Sequence, residues 1–149
     1  MVNQKIIEQL FEPPTPIGSF KNYQKTGDYI YVSGQGPFDD DGNLIIGKIG
    51  ENFDVIKGYD IARRVGLTML SVLHEGFGLD KIERVLKLTG YVNSVSNFTE
   101  HPKIINGCSE LMHECFGEGG IHSRSAVGVF TLPNNIPVEI EGIFKLKWN

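Results

Sequence analysis

The chain is poor in the features that would hold a small protein together without a core. It has two cysteines in 149 residues, Cys108 and Cys115. Seven residues apart on a helix, they sit about two turns, roughly 10 Å, from each other. A disulfide needs Cα atoms within about 7 Å, so an intrahelical bridge is excluded. Two reduced thiols fit a cytoplasmic protein. Positive charge is also scarce, with 14 Lys and Arg against 18 Asp and Glu. No basic stripe appears, and Arg63-Arg64 is the only adjacent Arg pair, which argues against nucleic-acid binding. No apolar run approaches membrane-spanning length, so no membrane association is expected. The first residues carry Lys5, Glu8 and Glu12 without the apolar centre of a signal peptide. No linker, repeat or low-complexity segment divides the chain. One domain over 1–149 is expected, large enough to bury about two-thirds of its unfolded surface.

What is present is a sequence of strand and helix signals. A short helix is predicted over Asn3 to Phe11, ended by Pro13, Pro14 and Pro16. Phe20 to Lys25 and Tyr29 to Ser33 flank a Gly-containing turn and predict a hairpin. A short strand is expected at Asn43 to Ile46. Asp54 to Gly78 carries the pattern of a long helix, with Asp54 as N-cap and Ile61, Val65, Met69 and Val72 as its core stripe. Ile82 to Val95 reads as a strand. In strict alternation, it places Val85 with Lys87 and opposite Leu88. A second helix is predicted from Pro102 to Phe116, with a stripe of Ile105, Cys108, Met112 and Cys115. Ser123 to Thr131 and Val138 to Lys147 then alternate with period two, and the short connection between them suggests a second hairpin. The order β-β-(β)-α-β-α-β-β predicts an α+β sandwich: one mostly antiparallel sheet with two helices on one face.

The run His122-Ser123-Arg124-Ser125-Ala126-Val127-Gly128-Val129 concentrates the chemistry. Alternation puts His122, Arg124, Ala126 and Gly128 on one face and Ser125, Val127 and Val129 on the other. The valine face is expected against the helices. Small residues beside a guanidinium leave room for a ligand on the opposite face. The returning strand offers Glu139 and Glu141, roughly 6.6 Å apart on one face. On periodicity alone, the plainer account is an exposed cross-strand pair between Arg124 and Glu139 or Glu141, worth about 0–1 kcal/mol. Asp39, Asp41 and Asn43 imitate the start of a calcium loop but lack its later Gly and Glu, so no metal site is expected. Ser33-Gly34 reads as a tight strand end able to bring backbone N–H groups near a ligand.

These residues carry a family resemblance. Arg124-Ser125-Ala126-Val127, Leu132-Pro133 and Val138-Glu139-Ile140-Glu141 resemble the C-terminal signature of the RidA/YjgF family, whose members also carry the name endoribonuclease L-PSP. Pro16-Ile17-Gly18-Ser19-Phe20, Val32-Ser33-Gly34-Gln35 and Asn106 match in the same order. Residues 1–13 resemble the N-terminal extension of a longer subgroup. The resemblance implies a chorismate-mutase-like fold, a homotrimer with sites between subunits, and no cofactor. It implies hydrolytic deamination of small 2-imino or enamine carboxylic acids to 2-keto acids and ammonia. Arg124 would hold the substrate carboxylate and Glu139 would act as the water-orienting base. Phe20, Ser33, Gly34, Asn106 and Ala126 would line the site; His122, which shares the Arg124 face by alternation, either joins it as a second cation or proton donor or is simply exposed. Phe20 stands where deaminase members carry Tyr, and Ala126 where many carry Cys. The alternative is a non-catalytic module that binds a small carboxylate in the same cleft.

Overall fold

The structure is a computed structural model and describes residues 2–148. Met1 and Asn149, the ends of the predicted domain span, lie outside the described residues. Helix α1 (Gln4–Ile7) is capped by the Asn3 side chain, which accepts from the Lys5 N–H. It is shorter than the predicted 3–11 helix. Strands β1 (Tyr23–Thr26) and β2 (Tyr29–Gln35) form the expected hairpin around Gly27, whose φ of 56° suits glycine. The strand expected at Asn43 to Ile46 is reduced to one bridge between Phe38 and Leu44.

Helix α2 (Val55–Phe77) keeps both predicted ends. Asp54 accepts from the Lys57 N–H at 2.8 Å, and Gly78 leaves the helix with φ 83°. Strand β3 (Ile82–Asn93) is followed by helix α3 (His101–Phe116), strand β4 (Ser123–Val129) and strand β5 (Val138–Leu146). The helix stripes predicted for α2 and α3 are buried. Both helices cover one face of the sheet, against Ile30, Val32, Leu88, Val92, Ile140 and Phe144. At the α2–α3 crossing, Gly107 lies against the Tyr59 carbonyl, leaving no space for a side chain.

The sheet order is β1-β2-β5-β3-β4. This corrects the second predicted hairpin. β4 does not pair with β5: it pairs in parallel with β3, which lies between them. A strand, a helix and a strand in succession form a crossover unit, and α3 supplies the connection that parallel pairing requires. β3 also departs from strict alternation. Register shifts between Ile82 and Arg84 and between Val85 and Lys87 turn Val85 onto the same buried face as Leu88.

The register of β4 decides which way its side chains point. Arg124, Ala126 and Gly128 stand beside Leu88, Gly90 and Val92, whose face meets the helices. Arg124 therefore points toward α3, and Val127 lies on the open face, 44% exposed. The expected assignment of the two faces is reversed. The open face also carries Tyr31, Thr89, Tyr91, Glu139, Glu141 and Ile143.

Candidate functional site

Arg124 is held by one helix. Its Nη1 donates to Asn106 Oδ1 at 2.8 Å and to Ser109 Oγ at 3.0 Å, and its Nη2 donates to the Pro102 carbonyl at 3.2 Å. Pro102, Asn106 and Ser109 follow at helical spacing, so one stripe of α3 grips one guanidinium. These bonds occupy three of five donors. Nε–H and one Nη2–H have no bond among the described residues. Two donors thus remain for a ligand, and guanidinium donors of this kind bind carboxylates through charge-assisted bonds. Ala126 and Gly128 continue the same face. A side chain at Gly128 would collide with the His101 ring, so glycine there admits His101 over the strand.

His122 extends the grip. Its Nδ1 lies 2.7 Å from the Gly120 carbonyl, and its Nε2 lies 2.9 Å from Ser109 Oγ. A carbonyl only accepts, so Nδ1 carries the hydrogen and Nε2 accepts from the Ser109 hydroxyl. Burial lowers the His122 pKa, and the neighbouring Arg124 charge adds to the shift against the opposing Gly120 bond. The imidazole is thus held neutral. Ser109, His122 and Arg124 line a shallow pocket of about 550 Å³. Ser109 is absent from the sequence-predicted residues. Its signal was its place three residues after Asn106, beside the apolar stripe of α3.

Glu139 lies on the other side of the sheet. It stands opposite Tyr91 on β3, and Glu141 stands opposite Thr89. The predicted cross-strand pair with Arg124 does not form: a strand separates them and their side chains leave opposite faces. Glu139 makes no side-chain hydrogen bond or ion pair among the described residues. Burial raises its carboxyl pKa, and the adjacent Glu141 raises it further. Glu141 is engaged, accepting from the Tyr91 hydroxyl, and that bond together with burial pushes Tyr91 up to about 12.

Gly34 is the floor under Glu139. A Cβ there would lie 2.6 Å from Glu139 Oε2. Next to it, Ser33 donates its hydroxyl to the Lys21 carbonyl at 2.6 Å and its N–H to the Asn22 carbonyl at 2.9 Å. The Ser33 N–H is therefore not free for a ligand, contrary to expectation. These bonds tie the segment bearing Phe20 along the end of β2, where Phe20 is 51% exposed. Within one chain the predicted residues thus form two groups. Asn106, His122, Arg124 and Ala126 gather on the helix face, and Ser33, Gly34 and Glu139 gather at the end of β2, beside the segment that follows Phe20.

Other features fall elsewhere. A larger cavity of about 810 Å³ runs between the N-terminal segment and α2, lined in part by Phe11, Phe38, Arg64 and Leu67. It contains none of the predicted residues, and its Arg64 is tied to the Phe38 carbonyl and Asp40. In the loop resembling a calcium site, Asp39 Oδ1 accepts the Asp41 and Asn43 N–H groups at 2.9 Å, as a turn does. No described helix is long and apolar enough to cross a membrane.

Comparison with known proteins agrees with this architecture. The family profile described as YjgF/chorismate mutase-like matches residues 6–140. Protein TCP17 of Trypanosoma cruzi is 38% identical over 133 residues, 88% of this chain and 83% of that protein. A 2-iminobutanoate/2-iminopropanoate deaminase of Dermatophagoides farinae is 31% identical over 132 residues, covering 87% and 88%. Among solved structures, Atu1372 of Agrobacterium tumefaciens, a protein of unknown function, superposes with a TM-score of 0.87 at 34% identity, covering 97% and 92%. With its mixed five-stranded sheet, two covering helices and the signature around Arg124, the chain belongs to the YjgF/RidA family.

Proposed function

We propose that this protein hydrolyses small 2-imino or enamine carboxylic acids to 2-keto acids and ammonia, at sites formed between copies of the chain. One observation carries the reading: Arg124 and Glu139 leave opposite faces of one sheet. Only a second copy can bring a Glu139 to an Arg124. The open face suits such an assembly, since Tyr31 and Val127 are half-exposed on it and Phe130, beyond the end of β4, is 92% exposed. A homotrimer closes this contact head to tail.

In this site the remaining donors of Arg124 take the carboxylate, and Asn106, His122 and Ala126 shape the surroundings. Glu139 of a second copy approaches with Phe20, Ser33 and Gly34. The imine carbon is already electrophilic, so the protein positions water and moves protons. Glu139 takes a proton from water as the C–O bond forms. It passes that proton to the imine nitrogen to give the carbinolamine, then carries the carbinolamine hydroxyl proton to nitrogen as C=O forms, the C–N bond breaks and ammonia leaves. A carboxyl with a raised pKa suits this two-way transfer, because it is closer to the working pH. The mite relative at 31% identity is named for this chemistry. No cofactor enters the scheme.

The test is turnover of iminopropanoate generated in the assay, followed as keto-acid release above the spontaneous rate. Acceleration by wild type that is lost in Glu139→Gln supports the deaminase. Carboxylate binding without acceleration favours the alternative, a binding module on the same fold. Sedimentation at micromolar concentration checks assembly, and a stable monomer contradicts the shared site. A cytoplasmic location is proposed with this reading and is checked by fractionation of cells expressing the protein.

A further inference from the structure

The hydroxyl of Ser109 behaves unlike the other two buried or half-buried helix hydroxyls in contact with the core layer. Ser71 donates back to the carbonyl four residues earlier, Leu67 O at 2.8 Å, and Thr68 lies within reach of both Arg64 O at 3.2 Å and the Gly36 carbonyl at 3.0 Å. Such back-donation is the usual arrangement within a helix. Ser109 makes no such bond among the described residues. It lies instead between His122 Nε2 at 2.9 Å and Arg124 Nη1 at 3.0 Å. The Gly120 carbonyl fixes the tautomer that leaves Nε2 free to take a proton. A hydroxyl, a base, a group orienting the base and a cation beside the oxygen therefore stand in series. Ser109, His122 and Arg124 all face the same pocket. Geometry of this kind activates a serine.

We propose that Ser109 and His122 form a nucleophile–base pair that cleaves small anionic esters or thioesters through an acyl-enzyme. Ser109 Oγ attacks the acyl carbon while its proton passes to His122 Nε2. The bond to the leaving alcohol or thiol then breaks, and His122 returns the proton to that group. Water attacks the acyl-serine, gives a proton to Nε2 and releases the acid. The proton then returns to Ser109 as the serine is regenerated. Arg124 faces the developing negative charge, the placement that favours such a step. The preference for anionic substrates follows from the pocket's charges. Glu110 is engaged by Tyr59 and Glu114 by Arg63 at 3.1 Å, while two Arg124 N–H groups have no partner among the described residues.

This activity shares Arg124 and His122 with the proposed imine site but is a separate reaction. It is complete within one chain and makes no use of Glu139. The full-length protein is mixed with mono-4-nitrophenyl succinate at neutral to mildly alkaline pH, and nitrophenolate release is followed alongside intact mass and peptide mapping. The expected result is a stoichiometric burst with a succinyl group on Ser109. Ser109→Ala abolishes both. His122→Asn slows acylation by about 100-fold, within the range for loss of a general base. A neutral 4-nitrophenyl ester of similar size reacts about tenfold more slowly, the scale of one charged hydrogen bond. Ser109→Cys keeps the shape and a nucleophile, so it acylates as a thioester even if Ser109→Ala fails to fold. No burst in wild type, acylation at another residue, or an unchanged rate in folded His122→Asn overturns the proposal.

Discussion

Arg124 is fixed by three hydrogen bonds from a single helix, whereas Glu139, on the other face of the same sheet, has none among the described residues. The guanidinium is wired through Ser109 and His122 to the backbone at Gly120. Two of its donors have no partner among the described residues. The carboxylate instead sits over Gly34, half-buried beside a second carboxylate, with its pKa raised by burial. One region has its geometry set before any ligand arrives. The other holds a charge that folding disfavours and a partner would satisfy. In the proposed reaction, the Arg124 side would supply orientation and the Glu139 side would supply proton transfer.

Each prediction sharpens or breaks that contrast. The largest effect is expected for Glu139→Gln. Imine turnover should fall by about 100-fold or more, the contribution of a placed base. Benzoate binding, followed by calorimetry, should change little. The melting temperature should hold or rise slightly, because a disfavoured charge is removed. A marked loss of stability would show Glu139 to be structural.

Arg124→Lys comes next. Lysine keeps the charge but loses the fork. Binding of small 2-keto acids should weaken by about 1.5–3 kcal/mol, tenfold or more. Because the three bonds to α3 are also disturbed, stability should fall by about 1–2 kcal/mol. Equal affinity in the two proteins would reduce Arg124 to a strand–helix tie.

Gly34→Ala tests the Glu139 side by sterics alone. The new methyl would meet Oε2 at 2.6 Å and push the carboxylate from its place. Turnover should drop about tenfold, consistent with a displaced catalytic group, while carboxylate affinity stays constant. Phe20→Tyr should act in the opposite direction, raising turnover by about two- to fivefold if its hydroxyl orders water. Unchanged turnover would separate Phe20 from the site.

The smallest effect is in pH dependence. The His122 pKa is lowered from 6.5 in the folded state, so below 6.5 the unfolded chain binds more protons there than the folded one. Stability from this group is complete above 6.5 and is lost as pH falls through the folded value. With the ring partly exposed, solvent screening keeps the effect small. Urea unfolding of wild type and His122→Asn on either side of pH 6.5 should show that part of the slope only in wild type.

The sequence revealed elements more readily than partners. Asp54 and Gly78 bound α2 because capping is local chemistry. The two groups of site residues were also visible as types. Which face Arg124 occupies was not, because that depends on register with Leu88 across a parallel pair. Period-two alternation in β4 and β5 marks two strands without saying that β3 runs between them. The β3–α3–β4 succession was the available clue, since a helix between strands favours parallel pairing. Bulges in β3 erased the simple alternation around Val85. Ser109 escaped notice because a serine within a helix usually bonds its own backbone.

Mixing two inactive variants tests the shared site most directly. Arg124→Ala retains Glu139, and Glu139→Gln retains Arg124. Dissociated and reassembled together at equal concentrations, they should regain about a quarter of wild-type imine turnover, because one site in four joins an intact Arg124 to an intact Glu139 across the contact. Each variant taken alone through the same procedure should remain inactive. Mixed assemblies, verified by mass, that show no recovery would contradict the account and place both halves of the chemistry within a single chain or outside these residues.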